Sequence, residues 1–140
     1  MQQGVENISV LLVEDNAVDV MGVKRAFSQS KLTNRIVVAS DGRDALNKLR
    51  DGKSIARPYV ILLDLNMPRM GGVEFLKEAR NDPELRSSVI FVLTTSSTAE
   101  DKARAYAHSI AGYIVKGKEE GSFINTASLF DHYTKTVDLP

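Results

Sequence analysis

Five short apolar runs separated by stretches of helical character constrain this chain more than any other feature of its sequence. The runs are Ile8 to Val13, Arg35 to Ala39, Tyr59 to Leu63, Val89 to Leu93 and Gly112 to Val115. Strand-length runs alternating with helix-sized segments predict crossover units around a parallel sheet. Runs two to five also lack the apolar-polar alternation of a half-exposed strand, as expected when helices cover both faces. The expected fold class is therefore α/β, a five-stranded parallel sheet with helices on both faces. With 140 residues, 43% of them hydrophobic, the chain can bury the core of one compact domain, so a single domain over 1–140 is expected, with no second unit.

The intervening segments carry helix signals. The first helix is expected to start after Asn16, with Asp19 three residues on and Val20, Val23 and Phe27 along one stripe. Asp41-Gly-Arg-Asp44 opens a second helix with Ala45, Leu46 and Leu49 inward, and Gly71-Gly72 precedes a third with Val73, Leu76 and Ala79. Asp82-Pro-Glu84 reads as the turn that ends it. In the fourth helix Ser97-Thr-Ala-Glu100 predicts a capping box, and the inward stripe reads Ala99, Ala103, Tyr106, Ala107 and Ile110. That stripe buries little apolar area, which makes the element a candidate to move, although alanine-rich helices are more often simply good helix formers. A last helix from Ser122 to Tyr133 offers Phe123, Ala127 and Phe130.

Composition excludes several chemistries. No cysteine is present, which removes disulfides, thiolate metal sites and cysteine nucleophiles, and nothing near the N-terminus resembles a secretion signal, so a cytoplasmic home is expected. No apolar stretch approaches the ~20 residues of a membrane helix. With 18 basic and 18 acidic residues there is no overall field to gather nucleic acid. His108 and His132 lack a third ligand nearby in sequence and read as surface residues.

Right-handed crossovers leave the carboxyl ends of all strands on one edge, which is where α/β proteins keep their chemistry. That edge is predicted to collect Glu14 and Asp15, Asp64, Thr94 with Thr95, and Lys116. Three acids in reach of one another are relieved by a raised pKa or by a hard cation, and Mg²⁺ suits one or two carboxylates, several waters and phosphate oxygens. If Asp64 carries a phosphoryl group, every residue has a role: Asp64 is the nucleophile, Mg²⁺ clamps phosphoryl oxygens, and Lys116 and Thr94 supply a charge and a hydroxyl. Each signal is weak alone, and their joint placement at successive strand ends carries the weight.

From Val10-Leu-Leu-Val-Glu-Asp15 through Leu62-Leu-Asp-Leu-Asn-Met-Pro68 to Tyr113-Ile-Val-Lys116 the chain resembles a two-component response-regulator receiver domain. The resemblance implies a flavodoxin-like fold with strand order 2-1-3-4-5. It implies a phosphorylation-activated switch in which Asp64 accepts a phosphoryl group from a sensor histidine kinase's phosphohistidine. Mg²⁺ would be held by Asp15, by Asp64 and by the backbone carbonyl of Asn66, with Glu14 acting through a bound water. Lys116 is implied as the phosphoryl contact, Thr94 as the hydroxyl that swings toward the phosphoryl group, and Tyr113 as the aromatic whose rotamer follows it. Asn66 and Ser96 would tune dephosphorylation. Such a protein is no enzyme beyond its own phosphorylation and dephosphorylation.

A narrower resemblance, to single-domain regulators paired with bacterial phytochrome histidine kinases, rests on Asp19 in Glu14-Asp-Asn-Ala-Val-Asp19, on Arg57-Pro58, on Leu93-Thr-Thr-Ser96 and on Thr136-Val-Asp-Leu-Pro140. Without an output domain, the signal would pass by protein contact. The expected relay surface is helix four, strand five and helix five, with Phe123 and Phe130 available if apolar area is exposed there, and homodimerisation through that face is a hypothesis.

Two departures from the family pattern stand out. Lys116 precedes Gly117 where a cis proline is usual, and a cis bond without proline costs ~2.5–4 kcal/mol, so either a trans peptide or a strained one is expected. Gly71-Gly72 replaces an Asp-Gly pair, which should alter a turn and not the chemistry. Among rivals, a haloacid-dehalogenase-like phosphatase needs an acid where Asn66 stands. A flavin module would place phosphate against the repelling Glu14-Asp-Asn16. A receiver-like scaffold that never takes phosphate is opposed by the intact set Asp15, Asp64, Thr94 and Lys116.

Overall fold

The computed structural model describes residues 7–117 and 123–140. Its strands are β1 (Ser9–Val13), β2 (Ile36–Ala39), β3 (Tyr59–Leu63), β4 (Val89–Thr94) and β5 (Gly112–Val115). The helices are α1 (Ala17–Gln29), α2 (Gly42–Arg50), α3 (Gly72–Asn81), α4 (Ala99–Tyr106) and α5 (Ile124–Thr136). One sheet runs β2-β1-β3-β4-β5, with each neighbouring pair parallel. Both the class and the order agree with the sequence reading.

The strand pleat explains why the apolar runs are continuous. Val10, Leu12, Val60, Leu62, Phe91 and Leu93 pack in one cluster with Val23, Ala26 and Phe27 of α1 and with Ala127 and Phe130 of α5. Their alternates Leu11, Val13, Ile61, Leu63, Ile90 and Val92 join Ala45 and Leu46 of α2, Phe75, Leu76 and Ala79 of α3, and Ala105 of α4. Successive side chains leave opposite faces of a strand, so a sheet covered on both sides needs apolar residues at every position. Phe27 meets Phe130 with ring centroids 5.1 Å apart, and Phe91 meets Tyr133 edge-on at 5.0 Å.

Helix starts follow the capping chemistry. Asn16 Oδ1 accepts the Val18 and Asp19 N–H groups at 2.9 and 3.1 Å, and Asp41 Oδ1 accepts that of Asp44 at 2.8 Å. α3 has Gly71 at its N-cap position and so no side-chain cap. There Gly72 lies so close to the segment after β3 that a Cβ would stand 2.6 Å from the Asp64 carbonyl oxygen and 2.7 Å from Leu65 Cα. The glycine is required by packing behind the edge that carries the acids.

α4 departs from expectation. Its cap is Thr98, whose Oγ1 accepts the Asp101 N–H at 3.2 Å, one residue later than the predicted box. Ala105 is the buried residue of the helix, whereas Ala99, Ala103 and Ala107 are exposed and Tyr106 is 53% exposed. Ile110 is buried, but beyond the helix. Alanine is tolerated on either face, so a four-residue alanine spacing does not fix which side turns inward.

Beyond α4, Arg80 clasps the chain: Nε donates to the His108 carbonyl at 2.8 Å, Nη1 to those of Arg86 and Ser88 at 2.8 Å, and Nη2 to that of Ser109 at 3.0 Å. This ties the end of α3 to the loop before β4 and to the turn before β5. His108 sits in that turn, half-buried, and His132 is exposed on α5. Phe130 is only 2% exposed, so it is not available as a relay contact. Lys116–Gly117 is not cis; the cis peptide bond of the described residues is Arg57–Pro58. Gly117 has φ of 82°, which proline, fixed near −65°, could not adopt. Among the described residues no helix is long and apolar enough to cross a membrane.

Candidate functional site

Main-chain ladders deliver the site residues one step beyond the strands. Glu14 N–H donates to the Ala39 carbonyl at 2.9 Å, Asp64 N–H to that of Val13 at 3.0 Å and Lys116 N–H to that of Thr94 at 2.7 Å. The sheet pairing therefore continues through the residues that carry the chemistry, and their side chains emerge together at the carboxyl edge. Parallel strands make this inevitable once the acids close β1 and β3 and the lysine closes β5.

Glu14, Asp15 and Asp64 each place one carboxylate oxygen within 4.8 Å of the others. Glu14 and Asp64 are buried, while Asp15 is exposed. Two sheltered acids beside an open one fit a hard divalent cation that keeps several waters. Asn66 follows in the β3–α3 loop, its N–H 3.4 Å from Asp64 Oδ1.

Lys116 is the counter-charge. Its Nζ donates to Glu14 Oε1 and, at 2.9 Å, to Asp19 Oδ2, and lies 3.7 Å from Asp64 Oδ2. The other Glu14 oxygen accepts the Asn16 N–H at 3.2 Å. Burial pushes the Glu14 carboxyl up to about 7, with Asp64 adding to the rise and Lys116 opposing it. Burial alone would lower the Lys116 pKa, but hydrogen bonds to Glu14 and Asp19 and the charge of Asp64 carry it above its ordinary value.

Thr94, fully buried at the end of β4, accepts a long 3.4 Å contact from the Ser96 N–H. Ser96 turns its hydroxyl to Asp101 Oδ2 at 2.5 Å, so that side chain is engaged with α4. Tyr113 on β5 donates its hydroxyl to the Ser96 carbonyl at 2.9 Å, and burial raises its pKa. Thus the aromatic of β5 is tied to the segment that begins at Thr94 and leads into α4.

Sequence reasoning brought Glu14, Asp15, Asp64, Thr94 and Lys116 to one edge, and the structure places them there. It did not assign a role to Asp19, whose carboxylate joins the lysine. Its signals were its position in the first turn of α1, where acids are common for capping reasons, and its place in the Glu14-Asp-Asn-Ala-Val-Asp19 run that carries the narrower resemblance. Also unread was a latch beside the site: Arg69 Nε donates to buried Asp41 at 2.6 Å, and Gly42 N–H to the Met70 carbonyl at 2.9 Å. It fastens the β3–α3 loop to the start of α2. The Asp44 N–H and the Arg69 guanidinium together hold the Asp41 carboxyl below its usual range, against the effect of burial.

Residues 10–127 match the response regulator receiver domain family. The chain belongs to that family. As a receiver domain it is the phosphorylation-activated switch of a two-component system. It is 30% identical over 135 residues to the response regulator Rcp1 of Synechocystis sp., covering 94% of this chain and 92% of that one. The probable methanogenesis regulatory protein FilR2 of Methanothrix harundinacea is 38% identical over 109 residues, covering 76% and 70%. Among solved structures, the phosphorylated cyanobacterial phytochrome response regulator RcpA superposes with a TM-score of 0.84 at 30% identity, covering 96% of this chain and 99% of that one. The Mn²⁺-bound form of Rcp1 gives 0.82 at 29%, with 96% and 99% covered. Receiver domains hold a divalent metal in this acidic pocket and pair with sensor histidine kinases. Phytochrome response regulators are among the relatives of this one.

Proposed function

We propose that Asp64 is the phosphoacceptor of this receiver domain and that Glu14, Asp15, Asp64, the Asn66 backbone carbonyl, Thr94 and Lys116 serve the transfer. The observation that carries the reading is the reach of Lys116 from β5 to carboxylates at the ends of β1 and β3, beside three acids with oxygens within 4.8 Å. An Asp64 oxygen attacks phosphorus in line with the P–N bond of a kinase phosphohistidine. The P–O bond forms as the P–N bond breaks, and the imidazole leaves with the electron pair. Glu14, Asp15 and Asp64 would hold Mg²⁺, Glu14 through water, and the ion would offset charge on the phosphoryl oxygens.

Lys116 meets the phosphoryl charge and Thr94 offers its hydroxyl. Tyr113, bonded to the Ser96 carbonyl, relays the movement of that segment to α4. Asn66 and Ser96 influence the water that later hydrolyses the acyl phosphate. The substitution Asp64→Asn tests this: it should abolish the hydroxylamine-labile phosphoryl label from a phosphorylated kinase and the Mg²⁺-dependent NMR response to beryllofluoride, while amide shifts far from the edge stay put. A retained label on the variant would overturn the assignment.

The partner we favour is a phytochrome-type histidine kinase, supported by the near end-to-end match to Rcp1 and RcpA. A phosphotransfer screen that finds efficient transfer only from unrelated kinases would refute it. Output by protein contact through α4, β5 and α5 is supported by Tyr106 of α4 at 53% and Leu129 of α5 at 39% exposure. Light scattering that returns one mass with and without beryllofluoride would exclude switched dimerisation there.

A further inference from the structure

Asp19 stands outside the acid cluster, yet it makes a direct hydrogen bond to the lysine of the site. Its Oδ2 accepts from Lys116 Nζ at 2.9 Å, closer than Asp64 Oδ2 at 3.7 Å. The contact is well fixed at both ends. Asp19 sits in the first turn of α1 with its N–H bonded to the Asn16 cap, and Asn16 N–H is bonded in turn to Glu14. The Lys116 side chain is 7% exposed, so its ammonium has few other places to go. Two of its three N–H donors are spent on Glu14 and Asp19.

We propose that Asp19 is a positioning residue that holds Lys116 back from Asp64, setting how readily the site accepts and keeps an anionic phosphoryl group. This inference rests on the phosphoryl-acceptor reading of Asp64. Physically, Asp19 acts twice. It draws the ammonium away from the acceptor oxygen, and its own negative charge opposes a second anion arriving there. Both effects have the same sign, so neutralising Asp19 tightens anion binding. One unit charge acting across roughly 6 Å of high-dielectric medium amounts to about a threefold change in affinity, and more where water is excluded.

The test uses the full chain at saturating Mg²⁺, titrated with beryllofluoride and followed by amide NMR, in wild type, Asp19→Asn, Asp19→Glu and Asp64→Asn. Asp19→Asn should bind at least about threefold tighter, and Asp19→Glu, which restores the charge, should return toward wild type. The Lys116 side-chain ¹H–¹⁵N signal, a readout that a purely scaffolding role would leave in place, should shift in Asp19→Asn before any beryllofluoride is added. A wild-type response with unchanged or weaker Asp19→Asn affinity overturns this proposal alone. No response in wild type, or an intact one in Asp64→Asn, overturns the acceptor reading and this inference with it.

Discussion

Replacing Lys116 by methionine removes the cation that, among the described residues, holds Glu14, Asp19 and Asp64 together, while keeping an apolar stem of similar length. The lysine head touches two carboxylates directly and stands 3.7 Å from a third, with the Lys116 and Glu14 side chains 7% and 2% exposed. Breaking a buried pair from one side typically costs ~3–5 kcal/mol. Asp19 is 28% exposed and Asp15 opens to solvent, so screening reduces the figure here, and about 2–3 kcal/mol is expected for the metal-free protein. The cost should depend on charge in a diagnostic way. Glu14 is an acid whose folded pKa, about 7, lies above its ordinary value of 4.5. Between those values the native state holds more protons than the unfolded chain, so its contribution to stability falls as pH rises.

Without Lys116 the hydrogen bond and charge that hold the Glu14 carboxyl down are gone, so the window extends upward and the variant loses more at alkaline pH than wild type does. Urea unfolding in EDTA, from about pH 6 to about pH 8.5, should show the difference between variant and wild type widening with pH. Saturating Mg²⁺ should shrink it at each pH, because the ion replaces the missing positive charge. A difference that stays flat with pH and with Mg²⁺ would refute the electrostatic reasoning and assign the cost to lost packing.

Other perturbations separate scaffold from chemistry. Gly72→Ala drives a Cβ into the Asp64 carbonyl and Leu65 Cα, and should cost about 1–3 kcal/mol in urea unfolding despite alanine's better helix propensity; an unchanged midpoint would contradict the packing. Arg80→Met leaves four carbonyls without their donors and should destabilise by about 2–4 kcal/mol equally with and without Mg²⁺; a metal-dependent loss would link this clasp to the site. Asp41 has a folded pKa below its ordinary value of 3.8, so its contribution is present above that value and lost as pH falls through the lower folded one. Arg69→Ala should therefore flatten the acid limb of the stability curve, and an unaltered limb would show that the latch does not contribute.

How much of this was legible in the sequence follows from which interactions are local. Glu14, Asp15, Asp64 and Lys116 close apolar runs, and a parallel sheet aligns such ends without further information, so the site could be assembled on paper from strand ends alone. The caps at Asn16 and Asp41 were equally readable, because a cap involves residues two or three apart. The face of α4 was not: alanines at 99, 103 and 107 carry no strong preference, and only the packing of α3 and β5 against the helix selected Ala105. Nor could Phe130 be judged exposed or buried before its ring met Phe27 across α1 and α5.

By itself, the order of apolar runs and acids determined the fold class and the edge at which chemistry gathers. Tertiary structure alone decided which group each charged side chain meets: Asp19 on Lys116, 97 positions apart, Arg69 on Asp41, and Arg80 on the carbonyls of His108 and Ser109 in the turn before β5. Those choices rest on ångström-scale distances set by helix placement over the sheet, and residue types carry no record of such distances.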